Sequence, residues 1–501
     1  MTSQQLTELG QRLDRACDLG NEEELCTIIA SNQEYVERLD DSKVKATLYY
    51  FLANAWSRLH DIRHKNDQSS IWEYEQETIN NQIINLRKAK KEKGFSEVPI
   101  EYQCAILTNL ANIFDHTGRT VYSLNLYNQA LLIEPNFVMA RANRGLCLIS
   151  YADFDYNENH RDIFAKLAYD DLKKASKQLI LYINNGYDAE YYTNVKEKCD
   201  NKIKVIELHL DQTFLTSPFE FNNFSLGKSK KEKEYRQWAL THTLFLNPMN
   251  DIGFNKIASH DPLNLPNLIT DIHSGFPKYI TYFNQIKQEY VAYRHLLYEG
   301  IKEKTDKFYN KDISLTDDYD YNLYDINNEK IKIAFRGFYS IFDKIAYFLN
   351  EYFDLRYSER GIDFRKIWKN KNNQNELNIK FNRLENLALR GLYFINKDLF
   401  SLDKDDKAFI DVIEPEAVEI NEIRNHLEHK FMTIKIFDIA KYQISNDREN
   451  IKYLTQEALE EKTIHMARLA REAIIYLSFT IHIEENKKDD KNKIPIQLVQ
   501  K

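Results

Sequence analysis

Helix breakers are almost missing from this chain, and that constrains its fold more than any motif does. Thirteen glycines and nine prolines serve 501 residues, about 2.6% and 1.8% of the chain, where typical usage is about 7% and 5%. Sheet-rich folds need both residues in their turns, while helix interiors exclude them. An all-α protein is therefore expected. Hydrophobic residues at 43% and aromatics at 13% exclude a disordered chain, which lacks the apolar surface to offset its ordering entropy. The length allows roughly two to four domains, each with its own core. No apolar run reaches the ~18 residues of a spanning helix, and the N-terminus lacks the layout of a secretion signal. No membrane contact and a cytoplasmic location are expected. A formal charge of −8 excludes a general polyanion binder, so any nucleic-acid contact has to come from a local basic patch. Cys17, Cys26, Cys104, Cys147 and Cys199 show no metal-binding or disulfide spacing and read as packing residues in a reducing compartment. Neither a metal nor a cofactor is expected.

Residues 1–210 read as a helical-repeat array. In 104–137, Leu107, Leu110, Ala111 and Phe114 give a first helix its packing positions. Ser123, Tyr127 and Ala130 do the same for a second helix, which Pro135 ends. The pattern resembles the ~34-residue tetratricopeptide unit, with small residues where helices approach closely. The same period lands on Arg144 and Gly145; the partner helix follows late, at Ala168, Leu172 and Ala175, so 151–162 reads as an inserted loop. Tyr49, Leu52, Ala53 and Trp56 mark another first helix upstream. Roughly three to five helical hairpins are expected. Such stacks offer a concave surface to a protein or peptide partner; the alternative is an array that covers only the rest of its own chain.

Residues 211–277 read as a connecting segment. Turn-rich sequence and a charged run at 228–234 lead into Tyr235, Arg236 and Trp238, then a turn around Asn247-Pro248 with Asn250 and Asp251. Two readings stand: substrate contacts, or a clasp that packs one domain onto the other.

Residues 278–485 read as a second helical domain, followed by a polar tail at 486–501. Helices are expected at 278–302, 326–354, 375–400, 414–432 and 455–484, with polar loops at 303–325 and 440–453. Arg365, Lys366 and Trp368 suit an RNA contact in which lysines and arginine grip phosphate and the indole stacks on a base; the alternative is a solvated loop with one packed aromatic. The most informative stretch runs from Pro415 to Phe431. At about 100° per residue, Ile420, Ile423, Leu427 and Phe431 share a stripe about 80° wide that faces the core. Asn425 and His429 lie about 40° apart and nearly opposite that stripe. Asn425 can then orient the His429 imidazole. Arg424 sits about 140° from His429, so focusing both on one phosphate calls for a long side chain or a second copy of the helix, and a dimer groove lined twice by the motif would supply the latter. The spacing alone also fits three polar residues on a solvated face.

Arg424-Asn425-x3-His429 resembles the R-x4–6-H motif of the HEPN superfamily (higher eukaryotes and prokaryotes nucleotide-binding), and the likeness covers about 278–485. It implies an all-α domain, dimerisation, and metal-independent RNA cleavage in toxin, antiviral-defence or RNA-processing systems. Arg424, Asn425 and His429 are then the catalytic candidates, with His426, Glu428 and Lys430 in support. Asp343, on an earlier long helix, is the candidate to hold Arg424 by a charge-assisted hydrogen bond; a surface ion pair with Lys344 is the alternative. The competing class is a non-catalytic adaptor, in which the repeat array works and the HEPN-like module only dimerises.

Overall fold

A computed structural model describes residues 1–501 apart from 66, 186–188, 219–222, 271–276, 304–307, 317–320, 372, 374, 375, 383, 400–416, 437–449, 489–493 and 497–501. The described residues are mostly helical. In chain order the helices are α1 (Ser3–Leu19), α2 (Glu22–Asn32), α3 (Ser42–Arg63), α4 (Glu77–Lys91), α5 (Ile100–His116), α6 (Thr120–Ile133), α7 (Val138–Phe154), α8 (Glu158–Asn184), α9 (Ala189–His209), α10 (Gln212–Thr216), α11 (Lys230–Thr241), α12 (Lys278–Lys302), α13 (Phe308–Lys311), α14 (Ile326–Tyr352), α15 (Leu387–Leu399), α16 (Ala417–His429) and α17 (Gln456–Asn486). The strands are β1 (Leu268–Thr270), β2 (Phe431–Lys435), β3 (Ile451–Thr455) and β4 (Ile494–Ile496). They form an antiparallel β1–β4 pair and a parallel β2–β3 pair.

Met1–Phe219 and Asn382–Asp398 make one compact unit. In it α3 packs on α4, α5 on α6 and α7 on α8, a succession of helical hairpins consistent with a repeat array. Leu107, Leu110, Ala111, Phe114, Ser123, Tyr127 and Ala130 are all buried, because the small residues bring α5 against α6 and the aromatics fill the gaps. A side chain at Gly145 would meet the Leu172 side chain at 2.8 Å, so only glycine lets α7 lie this close to α8. The inserted loop expected at 151–162 shrinks to 155–157: 151–154 complete α7, and Asn157 caps α8 by accepting from the Asn159 and His160 amides.

The helix α15 falls within 278–485 by sequence, yet Asn382–Asp398 cluster with the array. Every residue from Ala388 to Leu399 is buried. Its charges are met by array residues. Asp398 accepts from both nitrogens of Arg87 at 2.6 and 2.9 Å and also from Arg119. The two guanidinium groups lie 4.7 and 5.1 Å from the Phe114 ring centre. Arg390 donates to the carbonyls of His116 and Glu73, each at 3.1 Å. At the N-terminal end, Gly118 with φ 87° has no room for a Cβ beside the Leu387 carbonyl.

The second unit holds Glu220–Phe381, Leu399 and Glu416–Lys501. Helices α12, α14 and α17 form its core. The connecting segment packs onto α12 and α17 of this same unit. Arg294 grips Asp261 with two bonds of 2.8 and 2.7 Å and reaches the Leu244 carbonyl at 2.9 Å. Arg471 binds Asp251 at 2.5 Å and the Asn247 carbonyl at 2.8 Å. Helix α12 occupies the expected 278–302, and α14 and α17 follow their expected ranges within two residues. The helix expected at 414–432 ends at His429, and Phe431 opens β2 with 70% of its surface exposed. Phe431 therefore leaves the apolar stripe, because Phe-Met-Thr-Ile-Lys suits a strand that pairs with Ile451–Thr455. Residues 451–453, expected in a loop, begin β3. Pro415, Glu416, residues 440–449 and most of the polar tail lie outside the described residues.

Candidate functional site

Ala417, Ile420 and Ile423 anchor one face of α16 in the unit core, with Leu427 half-buried behind them. The opposite face carries Asn425, Glu428 and His429, all exposed, and Lys430 is exposed just beyond the helix end. Arg424 and His426 lie half-buried on the flanks. That arrangement follows the sequence periodicity up to the last turn.

Two contacts hold Arg424, and a third fixes the ring it packs on. Its guanidinium carbon lies 5.4 Å from the centre of the Tyr339 ring on α14, within cation–π range. Its Nη1 donates to Asn425 Oδ1 at 3.1 Å. The Tyr339 hydroxyl donates to Asn421 Oδ1 at 3.3 Å, one turn earlier on α16. A guanidinium has five N–H donors, and Asn425 takes one, so the fork keeps capacity for an anion. Asn425 thus orients Arg424 rather than His429 in this structure. Among the described residues His429 makes no hydrogen bond, and its imidazole is open to solvent. His426 Nδ1 lies 2.7 Å from the Glu422 carbonyl. A carbonyl only accepts, so this nitrogen is the donor.

Asp343 sits one turn after Tyr339 on α14. Its carboxylate accepts the Phe364 amide at 3.1 Å and does not pair with Arg424 directly. Burial pushes the Asp343 carboxyl up; the Phe364 amide, Arg424 and Lys366 oppose that shift. Arg424 and Lys366 therefore act on it through the field. Lys344 pairs with Glu289, not with Asp343.

The RNA contact expected from Arg365, Lys366 and Trp368 does not survive intact. Trp368 is 1% exposed and packs on Phe364 and Phe381 with ring centres 5.8 and 5.2 Å away. A base cannot reach its face. Lys366 is exposed and Arg365 half-buried. Tyr339 and Asn421 were missed in the sequence, although Tyr339 precedes Asp343 by the four residues that place two side chains on one helix face.

The first unit carries a polar cleft of about 300 Å³ lined by Asn54, His60, Asn109, Asn112 and His116 among others. Burial, with His64 and Arg390 nearby, pushes the His60 imidazole down to about 4. Burial and Arg390 push His116 down to about 4. Both rings are neutral at pH 7. Among the described residues, no three His, Cys, Asp or Glu side chains gather as a metal would need, and no helix is long and apolar enough to cross a membrane.

An arginine, an asparagine and a histidine thus stand together on one late helix of a mainly helical domain. Residues 270–484 match the family model of LA2681-like HEPN, and the chain carries an LA2681-like HEPN domain over that range. No curated protein and no solved structure matches the chain.

Proposed function

We propose that the chain is a metal-independent endoribonuclease. The observation that carries this reading is the position of Arg424 and His429 within the HEPN-matched segment: His429 projects exposed from the side of α16 opposite its buried face, and Arg424 lies half-buried on the flank with donors to spare. RNA supplies its own nucleophile. The ribose 2′-hydroxyl attacks the adjacent phosphorus, the bond from phosphorus to the 5′-oxygen breaks, and the products are a 2′,3′-cyclic phosphate and a 5′-hydroxyl. An imidazole takes the 2′-hydroxyl proton and, as imidazolium, protonates the departing 5′-oxygen, roles that His429 of one copy of α16 can fill in turn beside Arg424 of the other. The Arg424 fork stabilises the phosphorane dianion, and Asn425 fixes the fork. DNA lacks the 2′-hydroxyl and is spared.

Two copies also solve the ~140° separation of Arg424 and His429 round the helix. Support for a homodimer comes from large apolar side chains exposed along β2, which follows α16: Phe431 at 70% where the strand begins, and, just past its end, Ile436 at 64% and Tyr321 at 61%, whose carbonyl accepts the Ile436 amide. The array senses a trigger or restrains the nuclease, and its polar cleft is where a protein or peptide partner would sit. A toxin or antiviral-defence role in the cytoplasm fits an activity that a cell must hold in check. The test is expression of wild type, Arg424→Ala and His429→Ala under conditions that activate the wild type, with growth and total RNA followed. Growth arrest and RNA fragmentation by the wild type alone support the enzyme. Identical behaviour of all three favours the adaptor.

A further inference from the structure

A second concentration of positive charge lies in the same unit as α16. After α14 ends, residues 356–371 carry six cationic and two acidic side chains, a local net charge of +4 in a chain of −8. This segment encloses a cavity of about 410 Å³ whose lining includes Arg356, Lys366, Lys369 and Lys371, with Tyr357 and Asn370, and no carboxylate.

The fold builds this cavity deliberately. Phe364, Ile367 and Trp368 are buried and rivet the segment to the core. The basic residues between and after them are thereby turned outward. The chain enters through Asp354 at φ 46° and Arg356 at φ 60°, left-handed conformations that cost a residue with a side chain roughly 1 kcal/mol or more each. Lys371 Nζ donates to the Arg356 carbonyl and lies 4.5 Å from the Tyr357 ring centre, and the Tyr357 hydroxyl donates to the Lys369 carbonyl. Two acids flank the cavity: Asp354 pairs with Arg356 at 2.9 Å and Asp363 with Lys366 at 2.7 Å. They temper the charge without cancelling it. The cavity is also tied to the motif. Asp343 accepts the Phe364 amide at 3.1 Å and feels both Lys366 and Arg424.

We propose that this cavity is a phosphodiester-binding subsite that holds the RNA backbone away from the cleaved linkage. The proposal rests on the ribonuclease reading for its choice of ligand. A polynucleotide fits better than a small acid, because several cations spread over an open cavity match successive phosphates, and the backbone term dominates the affinity of such contacts.

The experiment uses the full chain carrying His429→Ala, so that RNA is bound without being cut. A fluorescein-labelled single-stranded RNA is titrated by anisotropy at several salt concentrations. It is compared with the same chain carrying Lys366→Gln, Lys369→Gln and Lys371→Gln, and with a charge-matched control carrying Lys228→Gln, Lys231→Gln and Lys233→Gln. Binding at least about tenfold weaker in the cavity variant is expected, with a salt slope shallower by about 2, since each single-strand phosphate contact contributes about 0.7. The control is expected to bind as the parent does. Equal affinity and slope in cavity variant and parent overturn the proposal, as does AMP competing as strongly as the oligonucleotide. Helicity and melting temperature report whether the triple variant folds; if it does not, Lys366→Gln with Lys371→Gln, both at exposed side chains, replaces it. Failure of the two readings is separable. Loss of binding in the cavity variant, with no cleavage by the wild type, sinks the nuclease and keeps the subsite. Cleavage with unchanged binding does the reverse.

Discussion

Arg424 owes its position to an aromatic face and one amide, and each makes a separate prediction. Tyr339→Leu removes the cation–π contact and the bond to Asn421. Cleavage should fall roughly tenfold in kcat with little change in KM, because a loosely held fork loses transition-state stabilisation first. Tyr339→Phe keeps the ring and should stay near wild type; equal losses in the two variants would mean that the ring does not position Arg424. Arg424→Lys should lose most activity despite its retained charge, since an ammonium lacks the planar fork. A different residue-scale prediction concerns His60 and His116, each held down at about 4 by burial against about 6.5 in an unfolded chain. Between those values the unfolded state binds more protons than the folded one. Stability therefore falls as pH drops from about 6.5 to 4. Denaturant melts of wild type against His60→Gln with His116→Gln check this, and the variant should lose less stability over that window. The exposed placement of Asn425 and His429 was legible because an i, i+4 pair opposite an apolar stripe is a local pattern. For Trp368 two readings stayed open, because an indole among lysines looks the same in sequence whether it faces a base or, as here, the core.

At the scale of elements, α15 shows what local patterns cannot reach. Its helical character was readable, but its partners Arg87 and Arg119 are 311 and 279 residues away, and no periodicity connects such positions. Burial alone would push the Asp398 carboxyl up, yet Arg87 and Arg119 hold it down to about 2. A carboxylate depressed below its unfolded value of about 3.9 contributes stability that is present above that pH and lost as pH falls toward 2. Asp398→Asn leaves two buried guanidinium groups without their counterion, and breaking such a pair costs about 3–5 kcal/mol. Chemical denaturation of the variant should show a loss of that order, and a loss below about 1 kcal/mol would contradict the burial. The strand β2 was missed for a different reason. Its five residues continue the hydrophobic spacing of α16, so the wheel absorbed Phe431, and only the pairing with Ile451–Thr455 reveals the break.

For the whole molecule, the helical class follows from scarce glycine and proline, and the HEPN domain from one motif within 270–484. The oligomer is where a prediction is most specific. If each site joins Arg424 of one chain to His429 of its partner, mixed Arg424→Ala and His429→Ala chains form heterodimers with one intact site and one dead site. With random pairing the mixture should recover about a quarter of wild-type cleavage, half the dimers being mixed with half their sites restored; no recovery would place both groups in one chain. The central claim is tested most directly by incubating the activated full-length chain with a defined RNA in excess chelator and mapping the new ends. Fragments bearing 2′,3′-cyclic phosphate and 5′-hydroxyl termini are predicted, absent with Arg424→Ala or His429→Ala. Intact RNA under activating conditions, 5′-phosphate ends, or undiminished cutting by either variant would contradict the account.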